Sequence, residues 1–349
     1  MTIELRTRAM EPRHLLYSPQ SCKGSSMSTA RDRALIVKVA RMYYEQNMSQ
    51  DQIARALLTS RSNVSRILSV AKKRGIVEIK INEATKRETD IEELLISRFG
   101  LHAAMVAKVP RSTSDYKAVG QLAIQSFLSH LKPRVKVAVS WGRSIQAMVD
   151  ALEPENRPDL TFIPLMGGMT AIPSSYSGEA LIQSLAEKFN AQYQVLHAPT
   201  IVQSPDIKVA LMREPSVAAV IDSARTADVA FVGIGSKGAH SSQHILQSAG
   251  ITPEENPEFF DAWKGDLAGR FFDRDGRSIN SRLDNRTVGL ELGELARIKR
   301  VVGVAAGEEK TEGILAALRG GLISELVTSS NCALKLLEAA ESKTLGELV

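Results

Sequence analysis

Residues able to hold a small ligand recur through the last two-thirds of this chain, each beside glycine and most of them just past an apolar run. Ser140-Trp141-Gly142-Arg143-Ser144 follows the run VKVAV and opens a helical pattern. Hydroxyls, a cation and helix-terminal amides at that place suit a phosphate or a polyol, the plainer alternative being a tight strand-to-helix turn that needs glycine and a cap. Gly167 and Gly168 sit in Met166–Met169 after LTFIPL and make a similar, weaker case. Gly265-Asp266-Leu267, Asp273 to Gly276, and Gly307-Glu308-Glu309-Lys310 place carboxylates and a lysine beside further glycines. A carboxylate accepts hydrogen bonds from sugar hydroxyls, and a lysine neutralises a phosphate or, when desolvated, attacks a carbonyl. A surface turn at 273–276 and a solvated Lys310 are the plain alternatives, and spacing leaves both open. Gly233-Ile234-Gly235-Ser236-Lys237-Gly238 satisfies the dinucleotide fingerprint after the run VAFV. The acids that follow, Glu254, Glu255 and Glu258, lie in a proline-rich segment rather than at the end of a second parallel strand, so a glycine turn such as Gly235 lining another ligand's crevice is the better reading.

A second kind of chemistry lies between Met48 and Ile76. Ser49 followed by Gln52 is a capping box, and Ile53, Ala54 and Leu57 fall on one helical face. Leu58 and Thr59 make a turn where many such motifs carry glycine. Ser60 or Thr59 then caps a second helix with Val64, Ile67 and Leu68 turned inward. Its outward residues are Arg61, Ser62, Asn63, Ser65 and Arg66. Arginine bonds guanine in bidentate fashion, asparagine bonds adenine, and serine bonds bases or phosphates, so this face suits major-groove readout of double-stranded DNA. Gln50 at the start of the first helix, and Lys72 and Lys73 at the end of the second, are placed for the backbone; the two lysines also complement the helix dipole. An ordinary helical hairpin with a solvated face is the alternative.

The elements that must hold these residues read as two domains, as expected for 349 residues. Residues 27–82 form a helix-turn-helix domain, 83–102 a linker and 103–349 a larger effector domain, after an unstructured extension at 1–26. Met27 is a candidate translational start. Past Gly75 the run IVEIKI alternates like a half-buried strand, a possible wing whose partner the sequence does not identify. In the larger domain AMVAKV, VKVAVS, LTFIPL, YQVL, VAFVGI, VVGVA and ELVTS are strands. Helical patterns at 116–131, 145–152, 180–189, 217–224, 313–318 and 333–341 separate them. This alternation predicts an α/β domain with a mostly parallel sheet and its ligand crevice at the strand carboxyl ends.

Charge divides along the same line. Residues 31–87 carry 13 Lys and Arg against 5 Asp and Glu, a net of +8, whereas the whole chain is +5 and residues 88–349 sum to −5. The basic character belongs to the segment that would meet phosphates. No run of 18 apolar residues is present, and residues 1–26 lack the continuous apolar stretch of a secretory signal. Cys22 and Cys332 are far apart and outside any His/Cys cluster, which predicts a reducing, cytoplasmic setting without a disulfide framework, and no metal site or cofactor.

Taken in order, SQDQIARALLTSRSNVSRILSVAKKRGIVEIKI, SWGRS, GDLAGRFFDRDGR and GEEKTEGILAALRGGLISELVTSSNCALKLL resemble the SorC family of bacterial sugar-responsive transcription regulators, from Met27 to the C-terminus. The resemblance implies an N-terminal helix-turn-helix and an effector domain similar to sugar-phosphate isomerases. It also implies a homodimer or homotetramer on operator DNA, gated by a sugar, polyol or phosphosugar. Effector contacts would fall at Ser140, Gly142, Arg143, Ser144, Gly167, Gly168, Asp266 and Lys310. In phosphosugar-binding relatives an arginine lies near the second glycine loop, where this chain has Met169. The competing class is an isomerase-like or Schiff-base enzyme with Lys310 as nucleophile and Asp266 as acid/base, against which stands the basic N-terminal domain. A nicotinamide-dependent oxidoreductase rests on Gly233–Gly238 alone.

Overall fold

The computed structural model describes residues 2–4, 26–80, 85–110, 115–169, 178–237 and 240–346. They form two units, divided between Ala84 and Thr85.

The first unit holds β1 (Thr2–Glu4), α1 (Ser26–Tyr44), α2 (Gln50–Ala56), α3 (Arg61–Lys73) and β2 (Glu78–Lys80). Both halves of the Ser49–Gln52 capping box are made, at 3.3 and 2.8 Å, and Ser60 caps α3 through the Asn63 amide at 3.2 Å. Val39 of α1 closes over Ile53, Ala54, Val64 and Leu68, so the predicted inward faces bury one another. β2 pairs antiparallel with β1, Ile79 opposite Ile3. The strand thus finds its partner inside the segment read as an unstructured extension, which corrects that reading for residues 2–4; residues 5–25 lie outside the described set. The turn keeps leucine where glycine is usual by placing Leu58 in the left-handed region, φ 49°, with its side chain 96% exposed. A non-glycine residue there costs about 1–2 kcal/mol and this side chain has no packing to lose. Leu58→Gly is therefore expected to stabilise the unit by about 0.5–1 kcal/mol, once glycine's greater chain entropy is deducted, read as a rise in thermal midpoint.

The second unit opens with α4 (Thr89–Phe99), and here the linker expectation for 83–102 fails. Leu95 of α4 is fully buried in the second unit's core, and the buried Glu92 accepts hydrogen bonds from Arg87 and from the Val106 amide. The polar residues before it mislead because their charges are spent on the edge of β3 (Ala103–Ala107). There follow α5 (Tyr116–His130), β4 (Lys136–Val139), α6 (Arg143–Ala151), β5 (Thr161–Pro164), α7 (Gly178–Phe189), β6 (Gln192–Tyr193), α8 (Pro205–Arg213), α9 (Pro215–Arg225) and β7 (Val229–Ser236). The chain continues through α10 (His240–Ser248), α11 (Pro257–Ala262), β8 (Gly265–Leu267), β9 (Arg270–Phe272), α12 (Leu292–Leu295), β10 (Val301–Val304), α13 (Thr311–Arg319), β11 (Glu325–Ser329) and α14 (Ser330–Gly346).

Seven strands run parallel in the order β3-β11-β10-β7-β4-β5-β6, and β8 and β9 add an antiparallel hairpin to the end of β7. One face is covered by α4, α9, α13 and α14, the other by α5, α6 and α7, with an apolar core on each side. The strands inside β6 are largely buried on both faces, which is why they read as apolar runs rather than alternations. Strand order reverses between β4, whose successor β5 lies on one side, and β7, which leads to β10 on the other. In open parallel sheets that reversal leaves a crevice at the strand carboxyl ends.

At the opposite end of the sheet, Glu325 is buried and bonded to His130 Nε2 at 3.0 Å and Arg300 at 3.1 Å. Burial works to raise its pKa, but the His130 hydrogen bond and the positive charges of His130, Arg300 and His102 outweigh it and hold the carboxyl below the ordinary range. A carboxyl depressed in the folded state contributes stability above its unfolded pKa and loses it as pH falls through the folded value. Glu325→Gln is expected to cost about 1–3 kcal/mol near neutral pH, and the gap to wild type should close in denaturant titrations taken below about pH 4.

Candidate functional site

The outward face of α3 presents Arg61, Ser62, Ser65 and Arg66 to solvent, with Asn63 half-buried. Asn63 donates from Nδ2 to Thr59 Oγ1 at 2.9 Å and accepts at Oδ1 from Arg66 at 3.1 Å. Asn63 thereby orients Arg66 and keeps a second N–H and a second lone pair of its amide in reserve. Arg61 lies 3.9 Å from Asp51 of α2, and the Ser60 and Ser62 hydroxyls are 3.0 Å apart. Gln50 is half-buried at the start of α2, while Lys72 and Lys73 are exposed in the last turn of α3.

In the second unit a cleft lies at the β4/β7 reversal. Gly142, Arg143, Ser144, Gly235, Asp266 and Lys310 line it, six of the nine residues singled out from the sequence. Their elements explain the gathering. Arg143 and Ser144 open α6, whose cap position is Gly142 at φ 132°, a conformation that favours glycine. Asp266 lies on β8, paired with Gly235 of β7. A Cβ on Gly235 would fall 1.8 Å from Asp266 Oδ1, so the glycine is what admits the carboxylate. Lys310 ends the short turn after β10, just before α13.

Asp266 is 7% exposed and accepts a hydrogen bond from Ser242 Oγ at 2.5 Å; Lys310 is 4% exposed. Burial raises the carboxyl's pKa against the Ser242 bond and the Lys310 charge. Burial likewise lowers the ammonium's pKa, with Asp266 and Glu309 opposing it and Arg143 adding to it. Burial thus works against the charged form of both groups, and an added anion would favour the charged form of Lys310. Arg143 lies over the Tyr116 ring, 4.9 Å from its centroid, and among the described residues it makes no ion pair. The cleft therefore offers two cations and the amino terminus of α6 on one side and a carboxylate with its serine on the other. That is a site for a ligand with an anionic group at one end and hydroxyls at the other.

Three expected contacts lie elsewhere. Ser140 is buried behind the cleft, its Oγ accepting the Gly233 amide at 3.0 Å, so it ties β4 to β7. Gly167 and Gly168 line a different pocket and their amides are spent on the Val288 and Ala198 carbonyls, at 3.1 and 2.9 Å. A Cβ on Gly167 would strike Ala198 O at 2.4 Å, which is why glycine stands there. Tyr116, Trp141, Gly233, Ile234, Ile245, Ala268 and Gly269 complete the cleft; Gly233 and Ile234 stood in the dinucleotide fingerprint, and none of the seven was expected as an effector contact. Trp141 had a signal, standing between Ser140 and Gly142; Tyr116 and Ile245 arrive from helices with none. Trp141 donates from Nε1 to Met166 Sδ at 2.7 Å, which holds the indole as one wall.

The dinucleotide fingerprint loses its context. Gly233, Gly235 and Ser236 lie inside β7 rather than in a strand-to-helix turn, with Gly235 and Ser236 paired to β8; Gly238 falls outside the described residues. Among the described residues no group of three or more His, Cys, Asp and Glu side chains is set to hold a metal, and no helix is long and apolar enough to cross a membrane.

Comparison with known proteins agrees with both halves. The sugar-binding domain family model matches residues 83–338, and the MarR family model matches residues 41–88. The sorbitol operon regulator of Klebsiella pneumoniae is 30% identical over 318 residues, covering 89% of this chain and 100% of the relative. The deoxyribonucleoside regulator of Bacillus subtilis is 28% identical, covering 87% and 97%. The crystal structure of the full-length regulator SorC from Klebsiella pneumoniae matches with a TM-score of 0.66 at 31% identity, over 88% of this chain and 99% of that one.

Proposed function

Because the chain belongs to the SorC family of sugar-binding transcriptional regulators, we propose that its operator binding is set by a phosphorylated sugar or polyol held in the β4/β7 cleft. The observation that carries the phosphate is the pair Arg143 and Lys310 beside the amino terminus of α6, facing Asp266, the one carboxylate among the described residues that line the cleft. In this reading Arg143, Lys310 and the α6 amides take the phosphate, Asp266, held by Ser242, takes hydroxyls, and Trp141 packs on the sugar's apolar face. Arg61, Ser62, Ser65 and Arg66 read the major groove, while Lys72 and Lys73 meet phosphates.

Control is a population shift in a cytoplasmic homodimer or homotetramer. The effector favours one arrangement, and only one spaces the recognition helices for a roughly palindromic operator. A differential affinity of about 1–3 kcal/mol is enough for such coupling. Lys310 and Asp266 act as ligand contacts in this scheme, not as catalysts.

The test is fluorescence anisotropy of the purified protein on its own upstream DNA at fixed salt, titrated with sugars, polyols and their phosphates. One phosphorylated compound altering tight, sequence-selective binding is the expected result. Weak, salt-sensitive binding indifferent to every compound would overturn the regulator reading, and a response to an unphosphorylated compound alone would overturn the phosphate.

A further inference from the structure

α8 is a helix that leaves two of its branched apolar residues, Ile207 and Val209, exposed. It is capped by Ser204, whose Oγ accepts the Ile207 amide, and has proline at its first position. Lys208 fastens it to the unit by donating to the Asp284 carbonyl at 3.3 Å and to Glu291 Oε1 at 3.0 Å. Yet none of its nine residues is buried. Leu211 and Met212 rest partly against the core, while Ile207 and Val209 are 42% and 46% exposed. The next helix, α9, buries Val217, Val220, Ile221 and Ala224. Singly exposed apolar residues are ordinary, so it is their combination with the charges of the same face that points to a contact surface.

We propose that α8 is a two-fold interface at which the helix packs antiparallel against α8 of a second copy of this chain. The charge pattern picks out that occupant. Asp206, Val209, Ala210 and Arg213 follow one another at helical spacing, and all four are exposed. In an antiparallel pair centred on Ala210, Asp206 lies about 6 Å to one side of the centre and Arg213 about 4.5 Å to the other, so each acid meets the partner's base at both ends. The small Ala210 at the crossing lets the backbones approach, and Ile207 and Val209 close over it. Asp206 and Arg213 also suit the helix dipole, but that role does not call for exposed isoleucine and valine. Neither makes an ion pair among the described residues. One helix pair is less than a stable dimer needs. The open groove beside the start of α8, lined by Gln203, Pro205, Asn256 and Arg282, extends the surface with polar groups as an interface rim does.

The inference rests on the oligomeric part of the proposed function and names its surface. It is tested by sedimentation velocity of the full chain over a range of concentrations, for wild type, Asp206→Arg, Arg213→Asp and the double variant. Each single reversal sets like charges against each other at both ends and is expected to raise the dissociation constant by roughly tenfold or more. The double reversal restores complementarity and should return it to near the wild-type value, a rescue that a folding defect does not produce. Single variants that associate like wild type, or a double variant no better than either single, would overturn the α8 interface while leaving the oligomer standing. A wild type that is monomeric throughout would remove both.

Discussion

Lys310→Met is expected to abolish the effector response. Lys310 is the buried cation of the cleft, and methionine keeps its volume while removing the charge that a phosphate would meet. Losing a buried, charge-assisted bond of this kind costs about 2–5 kcal/mol, so affinity for the phosphorylated effector should fall on the order of 100-fold or more. Trp141, in the wall of the same cleft, reports occupancy by its fluorescence. Operator affinity without effector should stay within about twofold of wild type, because DNA contacts reside in the other unit. An unchanged effector titration would remove Lys310 from the site. In the wild-type protein, effector affinity should decline on the alkaline side at a lower pH than for an ordinary lysine, since burial lowers the Lys310 pKa and the neutral amine attracts an anion poorly.

Arg66→Ala is expected to give the mirror image: weakened operator binding with effector affinity intact. Arg66 is exposed on α3 and aimed by Asn63 Oδ1, so it is the arginine of that face whose direction is set within the motif. A base-reading arginine is worth about 1–3 kcal/mol, and roughly a 10- to 100-fold loss on the operator is expected, with little change on a scrambled duplex. Anisotropy at fixed salt on both duplexes measures it. Equal losses on the two would make Arg66 a phosphate contact, and no loss would take it off the DNA face. Because Arg66 packs against nothing in the core, the thermal midpoint should not move.

These two predictions draw on parts of the protein that were unequally legible. The helix-turn-helix was readable because everything that makes it is local. Ser49 and Gln52 are three residues apart, Ser60 and Asn63 three apart, and the inward faces repeat at helical spacing. The strands of the larger unit were readable because burial on both faces leaves continuous apolar runs. α4 was misread as linker because its one fully buried leucine and its buried glutamate gain meaning only against β3. α8 gave no signal, having no buried face to pattern. β8 and β9 were too short to register, although they carry Asp266.

The sequence by itself therefore determined the helix-turn-helix with its polar outward face, the parallel sheet and most of the polar residues of the cleft. Each of these is set by spacing within one element or by a glycine next to the residue it serves. Only the tertiary structure decided which glycine loops meet. Residues 142–144, 235, 266 and 310 converge because strand order reverses between β4 and β7 and the β8–β9 hairpin folds back onto β7. Gly167 and Gly168, equally plausible in one dimension, end β5 one strand farther from the reversal, and their amides are consumed by backbone carbonyls. Composition and spacing along a chain carry no record of strand order, and strand order determined which residues became neighbours.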